Sequence, residues 1–525
     1  MTQFSPSTPP TGHFDAIVVG GGLAGLTAGL HLAERGLSVA VLEADPKYAG
    51  GRVSGKDPVV INGWSFPGEH GVHGIWSPYL NLQAMLTRHR IRPVFVPAQE
   101  EDWIYRRGNR IKKAAVGSAI RQSWIPAPFH YLNLFLRPSF LAAIGIHDWA
   151  SLFSVWYALL FAVGVDPLME DQPLGGLHMG GLIRNWSPAL RAFMIGLTRS
   201  GLSGHPDDIP LSGYIAFLRF YTVLRRDAWA FSYLPSTAGT ALIDPLVGRL
   251  QSCGAQLYLC TRVTQLECAE NGWTVHFQET EDPQQTGQID ADQLILATDS
   301  PNTAKILRAS PPTAALAETL EFPTGMETVI VRVWFDQVPC CTSEAGIFSG
   351  DFILDNFFWL DQIYEPYMRW RKATGGSAIE AHIYGPARLL AEPDVVLMAR
   401  AIGDIQAAFP DLRGHKLHQS ISRNLATHTL FGIGPADRHL GVETPWPDLF
   451  CCGDWVRHPN PALFLERATA TGIVAANGVL QTRGLAAWPL MAYPKPEPFV
   501  GWIERLMRSG RKARQDRKSG QSNKT

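Results

Sequence analysis

Residues 15–45, DAIVVGGGLAGLTAGLHLAERGLSVAVLEAD, read as strand, turn, helix and second strand. Ala16 to Val19 is the unbroken apolar run that a parallel strand buried on both faces needs. Gly20, Gly22 and Gly25 then give G-x-G-x-x-G. The first glycine makes a tight turn, the second lets backbone approach a pyrophosphate, and the third lets helix pack closely on strand. Leu26, Leu30 and Ala33 share an apolar helix face, and Gly36 is a suitable stop. Ser38 to Leu42 forms the second strand and delivers Glu43 and Ala44. A carboxylate there sits where the ribose hydroxyls of an adenosine would lie, while the helix N-terminus turns free N–H groups toward the phosphates. All these parts fall in register. They mark a dinucleotide site and predict an α/β chain with a Rossmann-like domain.

Shortly after Glu43 comes Gly50-Gly51-Arg52. Arg52 would offer a pyrophosphate a forked cation, with Gly51 letting the loop close over it; the alternative is a surface turn beside a solvated arginine. Far downstream, Leu449 to Cys452 is an apolar run preceded by Thr444-Pro445-Trp446-Pro447, and it delivers Gly453-Asp454. Beyond His458-Pro459-Asn460-Pro461, a helix carries Glu466, Arg467, Ala468, Gly472, Ala475 and Ala476.

The G-G-R turn, the terminal strand with its G-D pair and the small-residue helix resemble the FAD-dependent amine oxidase and carotenoid desaturase superfamily, and the resemblance spans almost the whole chain. It implies FAD as cofactor, in a domain discontinuous in sequence, with a mixed α+β substrate domain. By this resemblance Gly453 approaches the flavin phosphate and Asp454 accepts a hydrogen bond from the ribityl chain. The helix start would face the flavin pyrimidine, and a backbone contact to adenine falls near Val263. Gly254 to Glu267 alternates like a strand pair, and Asp292 to Pro301 resembles the strand that closes the dinucleotide domain.

In Phe66 to Gly74, Gly71 matches the superfamily's loop glycine and His73 the residue next to the flavin. The E-H-G-x-H-G form of Glu69 to Gly74, with Tyr79-Leu80-Asn81-Leu82 and the L-E-R-A-x-A-T-G run from Leu465 to Gly472, looks like the carotene ring desaturases of the isorenieratene-synthase type. Phytoene and zeta-carotene desaturases are more distantly similar. The resemblance implies desaturation of a lipophilic polyene, with hydride passing to flavin N5 and the neighbouring proton to a base. Glu69, His70 and His73 are the candidates for that base. The two histidines also suit loop packing or gating. As metal ligands they lack a third His or Cys at ligand spacing, so no metal is expected.

A net charge of −1 over 525 residues argues against a nucleic-acid partner, which would need a basic face, so any basic function must be local. The seven cysteines include two adjacent pairs and suit neither a disulfide framework nor a C-x-x-C zinc site. Buried thiols in a reducing, cytoplasmic setting are the expectation. The polar, Pro-rich N-terminus reads as a disordered tail without the features of a signal peptide.

Trp124 to Leu136 and Trp149 to Val165 read as long apolar helices, either pocket walls for a hydrocarbon or ordinary core. The second is expected to be buried or half-embedded rather than to span a bilayer. From Tyr493 onward, Phe499, Trp502 and Ile503 lead into Arg505, Arg508, Arg511, Lys512, Arg514, Arg517 and Lys518. Apolar anchors beside such a cluster read as a peripheral membrane contact; the alternative is a solvated tail. The organisation expected is a tail at 1–14, FAD-binding segments at 15–98, 251–310 and 441–485, substrate-domain segments at 99–250 and 311–440, and the basic tail at 486–525. Two rival functions remain at this point: an amine oxidase acting on a C–N bond, and a non-enzymatic escort for prenylated proteins on the same fold.

Overall fold

His13–Val19 lies inside a mixed sheet, paired in parallel with Val39–Leu42 on one side and Thr286–Leu296 on the other. Gln256–Tyr258 extends the sheet beyond Val39–Leu42. On the far side, the first half of the 286–296 strand pairs antiparallel with Trp273–Glu279, which pairs with Thr261–Cys268. Its last residues, Leu294 to Leu296, pair in parallel with Leu449–Cys451. One sheet therefore draws strands from three distant stretches of chain. The computed structural model describes residues 10–168, 174–340, 343–434 and 437–522. Most of the N-terminal tail, and Cys341, lie outside these.

The opening helix, Leu23–Ala33, is buried on every face rather than on the expected stripe alone. The sheet covers one side, and the helices Phe464–Thr482 and Asp244–Ser252 cover the other. Gly472 makes the first of these contacts possible, because a Cβ there would lie 2.6 Å from the Ala24 carbonyl oxygen. The expected strand pair at 254–267 is corrected: both strands form, but they sit at opposite edges of the sheet. Alternation reports that a segment is a strand and not which strand it pairs with.

A second seven-stranded sheet is ordered 416–429, 325–335, 377–383, 356–359, 345–350, 101–107 and 110–115, within the segments expected to form the substrate domain. Side chains alternate between its faces. Val329, Val331, Val333, Ile379, Ala381 and Ile383 face a core completed by the helix Asp394–Ala408. The intervening positions, Arg332, Glu380 and His382, point the other way, toward the loop at Gly71.

Trp124 to Leu136 is not a long helix. Pro126 and Pro128 remove backbone donors, and only a 3-10 segment, Phe129–Leu136, forms. Leu152–Gly164 is helical and buries Ala158, Ala162, Val163 and Gly164, leaving Phe153 and Tyr157 exposed. Within the expected basic tail, Pro498–Ser522 forms a helix packed on Leu152–Gly164, with Arg219 joining Glu504 at 2.8 Å. Val500 and Ile503 are buried there, so Ile503 is not a free anchor, whereas Trp502 is exposed. The side chains from Arg511 onward lie outside the described ones. Among the described residues, no helix is long and apolar enough to cross a membrane.

Candidate active site

The first and last motifs of the sequence meet across a single cavity of about 980 Å³. Gly20, Gly22, Glu43, Ala44, Gly51, Arg52, His70, Gly71, His73, Val263, Gly453 and Asp454 all line it. Gly25 and Glu69 do not appear in its wall.

Gly20 turns the chain at φ +108°, and a Cβ on Gly25 would lie 1.9 Å from the Gly20 carbonyl oxygen. The helix can therefore start directly over the turn only with glycine at 25. The Glu43 carboxylate accepts from the Gly21 N–H at 2.8 Å and the Asp45 N–H at 2.8 Å, which ties the end of the second strand to the glycine turn. Burial raises its pKa against those hydrogen bonds. Val263 lies on the 261–268 strand, whose first residue, Thr261, donates its N–H to the Glu43 carbonyl.

Arg52 is the junction of the site. One guanidinium nitrogen lies 2.5 Å from the Asp454 carboxylate, a partner 402 residues away in sequence, and another lies 3.0 Å from Nδ1 of His428. Gly453 adopts φ +147° with its N–H and carbonyl both bonded to the Thr471 hydroxyl at 3.0 Å, so the G-D turn is fixed to the helix behind it. Glu466 and Arg467 of that helix serve structure. Glu466 accepts from the Asn81 and Leu82 backbone N–H groups and from the Tyr493 hydroxyl, while Arg467 donates to the carbonyls of Val456, His458, Asn460 and Ala462.

The three candidate bases separate. His70 reaches the Ser54 hydroxyl at 3.3 Å, and burial, with Lys56 nearby, lowers its pKa to about 3. His73 is held near 4 by burial, and its Nδ1 is buried without a hydrogen-bond partner. Both imidazoles are neutral at neutral pH. The placement of Glu69 at the reacting carbon is corrected: its carboxylate turns behind the cavity wall, accepting from the Tyr364 hydroxyl and from the Ala238 N–H at 3.2 Å. Burial and the Glu380 charge raise its pKa.

The sequence reading missed several polar residues in this wall. Glu380, His382 and Tyr384 share one face of the 377–383 strand and its continuation, and His382 and Tyr384 line the cavity. Lys56 also lines it, bonded to Ser422 at 2.8 Å and Asn424 at 2.7 Å. The signal was an E-x-H-x-Y alternation between buried apolar neighbours. Away from the glycine turns, the cavity continues between Trp76, Phe193, Phe217, Tyr221, Trp229 and Phe231.

This donor set fits a dinucleotide flavin. The glycine turns admit phosphate, Arg52 supplies a cation, Glu43 an acceptor, and His73 a buried nitrogen with no protein partner. Residues 23–480 match the family described as flavin containing amine oxidoreductase. The chain belongs to that family. Its members include enzymes that bind FAD, and the chain is an FAD-dependent oxidoreductase.

Among family relatives, a carotenoid phi-ring synthase from Streptomyces griseus is 26% identical over 505 residues, covering 92% of this chain and 91% of the relative. A carotenoid phi-ring synthase from Chlorobaculum tepidum is 21% identical, covering 91% and 90%. In fold the chain is similar to a cyclohexylamine oxidase from Brevibacterium oxydans, with a TM-score of 0.65 at 14% identity, covering 90% of this chain and 99% of that one.

Proposed function

We propose that the chain desaturates a lipophilic polyene, a carotenoid, using bound FAD. The observation that carries this reading is the continuity of the flavin cradle with an aromatic, hydrocarbon-sized passage. The carotenoid phi-ring synthases among the relatives support the same substrate class and admit desaturation within a terminal ring. Bound FAD supplies the two-electron acceptor for a hydride. Gly20, Gly22 and Gly51 would admit the pyrophosphate, with Arg52 and Asp454 beside it, and Glu43 would take the adenosine ribose. Gly71 and His73 would form the wall against the ring, where neutral imidazoles exclude water without adding charge. An amine oxidase needs an acceptor for an ammonium group. The carboxylate in the aromatic half, Glu101, is instead engaged by Arg121 at 2.7 and 2.8 Å.

We also propose that this substrate is drawn from a membrane, on which a cytoplasmic protein sits peripherally. Trp124, Trp149, Phe153, Tyr157, Phe499 and Trp502 are exposed, with Phe153 86% accessible, and Phe499 stacks on Trp502 beside Arg505 and Arg508. Exposed aromatics flanked by arginine suit an anionic lipid surface.

The test is co-expression with a carotene-producing pathway, with pigments compared by mass as well as absorbance, since an aromatised ring shifts the spectrum little. Carotenes that pass through unchanged, while amines yield peroxide, would establish the amine oxidase reading. A colourless purified protein would favour the escort reading.

A further inference from the structure

The substrate-domain sheet presents a polar stripe, with His382 and Tyr384, to the cavity. Side chains at 380, 382 and 384 fall on one face because strand residues alternate. Arg332 stands directly across from Glu380 on the neighbouring strand, and Asn356 directly across from His382 on the other. Arg332 donates to Glu380 at 2.6 Å, and the other Glu380 oxygen receives the Val72 N–H at 2.7 Å and His382 Nε2 at 2.8 Å. Burial works to raise the Glu380 pKa, but Arg332 and His382 hold it well below the usual carboxylate range, so it is an anion. An anion at Nε2 fixes the proton there and leaves the Nδ1 lone pair for the Tyr384 hydroxyl, 2.6 Å away. Asn356 steadies the phenol from its other side at 3.3 Å.

This stripe abuts the loop assigned to the flavin. A Cβ on Gly71 would lie 3.2 Å from His382 Cε1. Glu380, His382 and Arg332 are almost wholly buried. A buried anion–imidazole–phenol series costs stability unless every member is satisfied, and here each is.

We infer that Tyr384 accepts the proton in the proposed desaturation, with His382 as the sink behind it and Glu380 as the charge that stabilises the imidazolium. The inference rests on the desaturase reading above. Bound FAD would supply the two-electron acceptor, so that one C–H bond would break with its electron pair leaving as hydride. The adjacent C–H bond breaks heterolytically: its proton goes to the Tyr384 oxygen while the Tyr384 proton moves to His382 Nδ1. The electrons of that second bond become the new C=C. His382 returns its proton to solvent after product leaves. Tyr384 is the catalytic residue, and His382 and Glu380 act through it.

Tyr384→Phe and His382→Asn in the full-length FAD-loaded protein test this. Both variants should keep the FAD content and carotene affinity of the wild type. Desaturated product per unit time should fall by about a hundredfold or more, the scale of a lost general base. The wild type should also form product more slowly in deuterium oxide than in water. Product formation by Tyr384→Phe within about threefold of wild type, far short of that scale, overturns the relay. So do equal wild-type rates in the two solvents, a measurement that stands even where a variant fails to fold. A wild type that converts no carotene sinks the desaturase reading instead, whereas an active wild type with an equally active Tyr384→Phe sinks the relay alone.

Discussion

Gly25→Val puts the geometry of the glycine turn to a quantitative test. A Cβ at this position would lie 1.9 Å from the Gly20 carbonyl oxygen and 3.1 Å from the Ala297 Cβ. Carbon and oxygen meet without repulsion at roughly 3.3 Å, so the turn and the helix must separate by about 1.4 Å. That shift breaks the first helical bond, Leu26 N–H to Gly22 O at 2.9 Å, and presses Leu23–Ala33 against the 464–482 helix, which already approaches it closely at Gly472. Overpacking of this kind costs about 1–3 kcal/mol, and the amides that face the phosphates move with the turn. FAD affinity should therefore fall by about tenfold to a hundredfold. The assay is FAD released on heat denaturation per mole of chain, across a titration with added FAD. Gly248→Ala is the control, since its Cβ meets nothing within 4 Å, and it should be neutral or slightly stabilising. A Gly25→Val protein that binds FAD as tightly as wild type would refute the close-approach argument.

Glu43→Arg should yield mostly colourless protein, because it removes the acceptor tied to Gly21 and places a bulky cation where we propose that the ribose binds; full flavin occupancy would refute that placement of the ribose. His31 is buried between the Thr27 carbonyl and Arg88, and burial, then the Arg88 charge, lower its pKa to about 3. Its folded pKa lies below its unfolded one, so its contribution is complete above pH 6.5 and is lost as pH falls from 6.5 toward 3, at about 1.4 kcal/mol per unit. Thermal melts across that window should be flatter for His31→Gln, and parallel curves would contradict the assignment. Vesicle co-sedimentation with anionic lipid should fall with salt and in Phe153→Ser/Trp502→Ser, with FAD content unchanged. Cutting the chain at Pro498 is the poorer experiment, because it would also strip Val500 and Ile503 from the core.

The cofactor half of the site was legible because its requirements are local. A turn at φ +108°, a close helix start and a strand-end carboxylate each demand a residue type at a fixed offset. The substrate half obeys a different logic. Glu380 gains meaning from Arg332 opposite and from the Val72 loop, and His382 from Gly71 and Tyr384, and strand pairing between 325–335 and 377–383 has no signature in either segment alone. Glu69 misled for the same reason. Its place beside His70 in sequence put it near the flavin, but strand alternation and the Tyr364 hydroxyl draw it behind the wall. Prolines at 126 and 128 were visible, and weighing them above the apolar run would have removed the helix expected there.

The pairing of Arg52 with Asp454 bears on how the protein is made. During synthesis the glycine turn and Arg52 leave the ribosome well before the segment that completes the cradle, whose Asp454 follows 402 residues later. Until Leu449–Cys451 arrives, the end of the 286–296 strand has no partner on that side and offers an open edge to other chains. At about 5–20 residues per second, some tens of seconds separate the two events. Interrupted translation products should therefore be unable to retain flavin and prone to aggregate, and recombinant yield should depend on holding this edge covered by a chaperone until the last strand is in place.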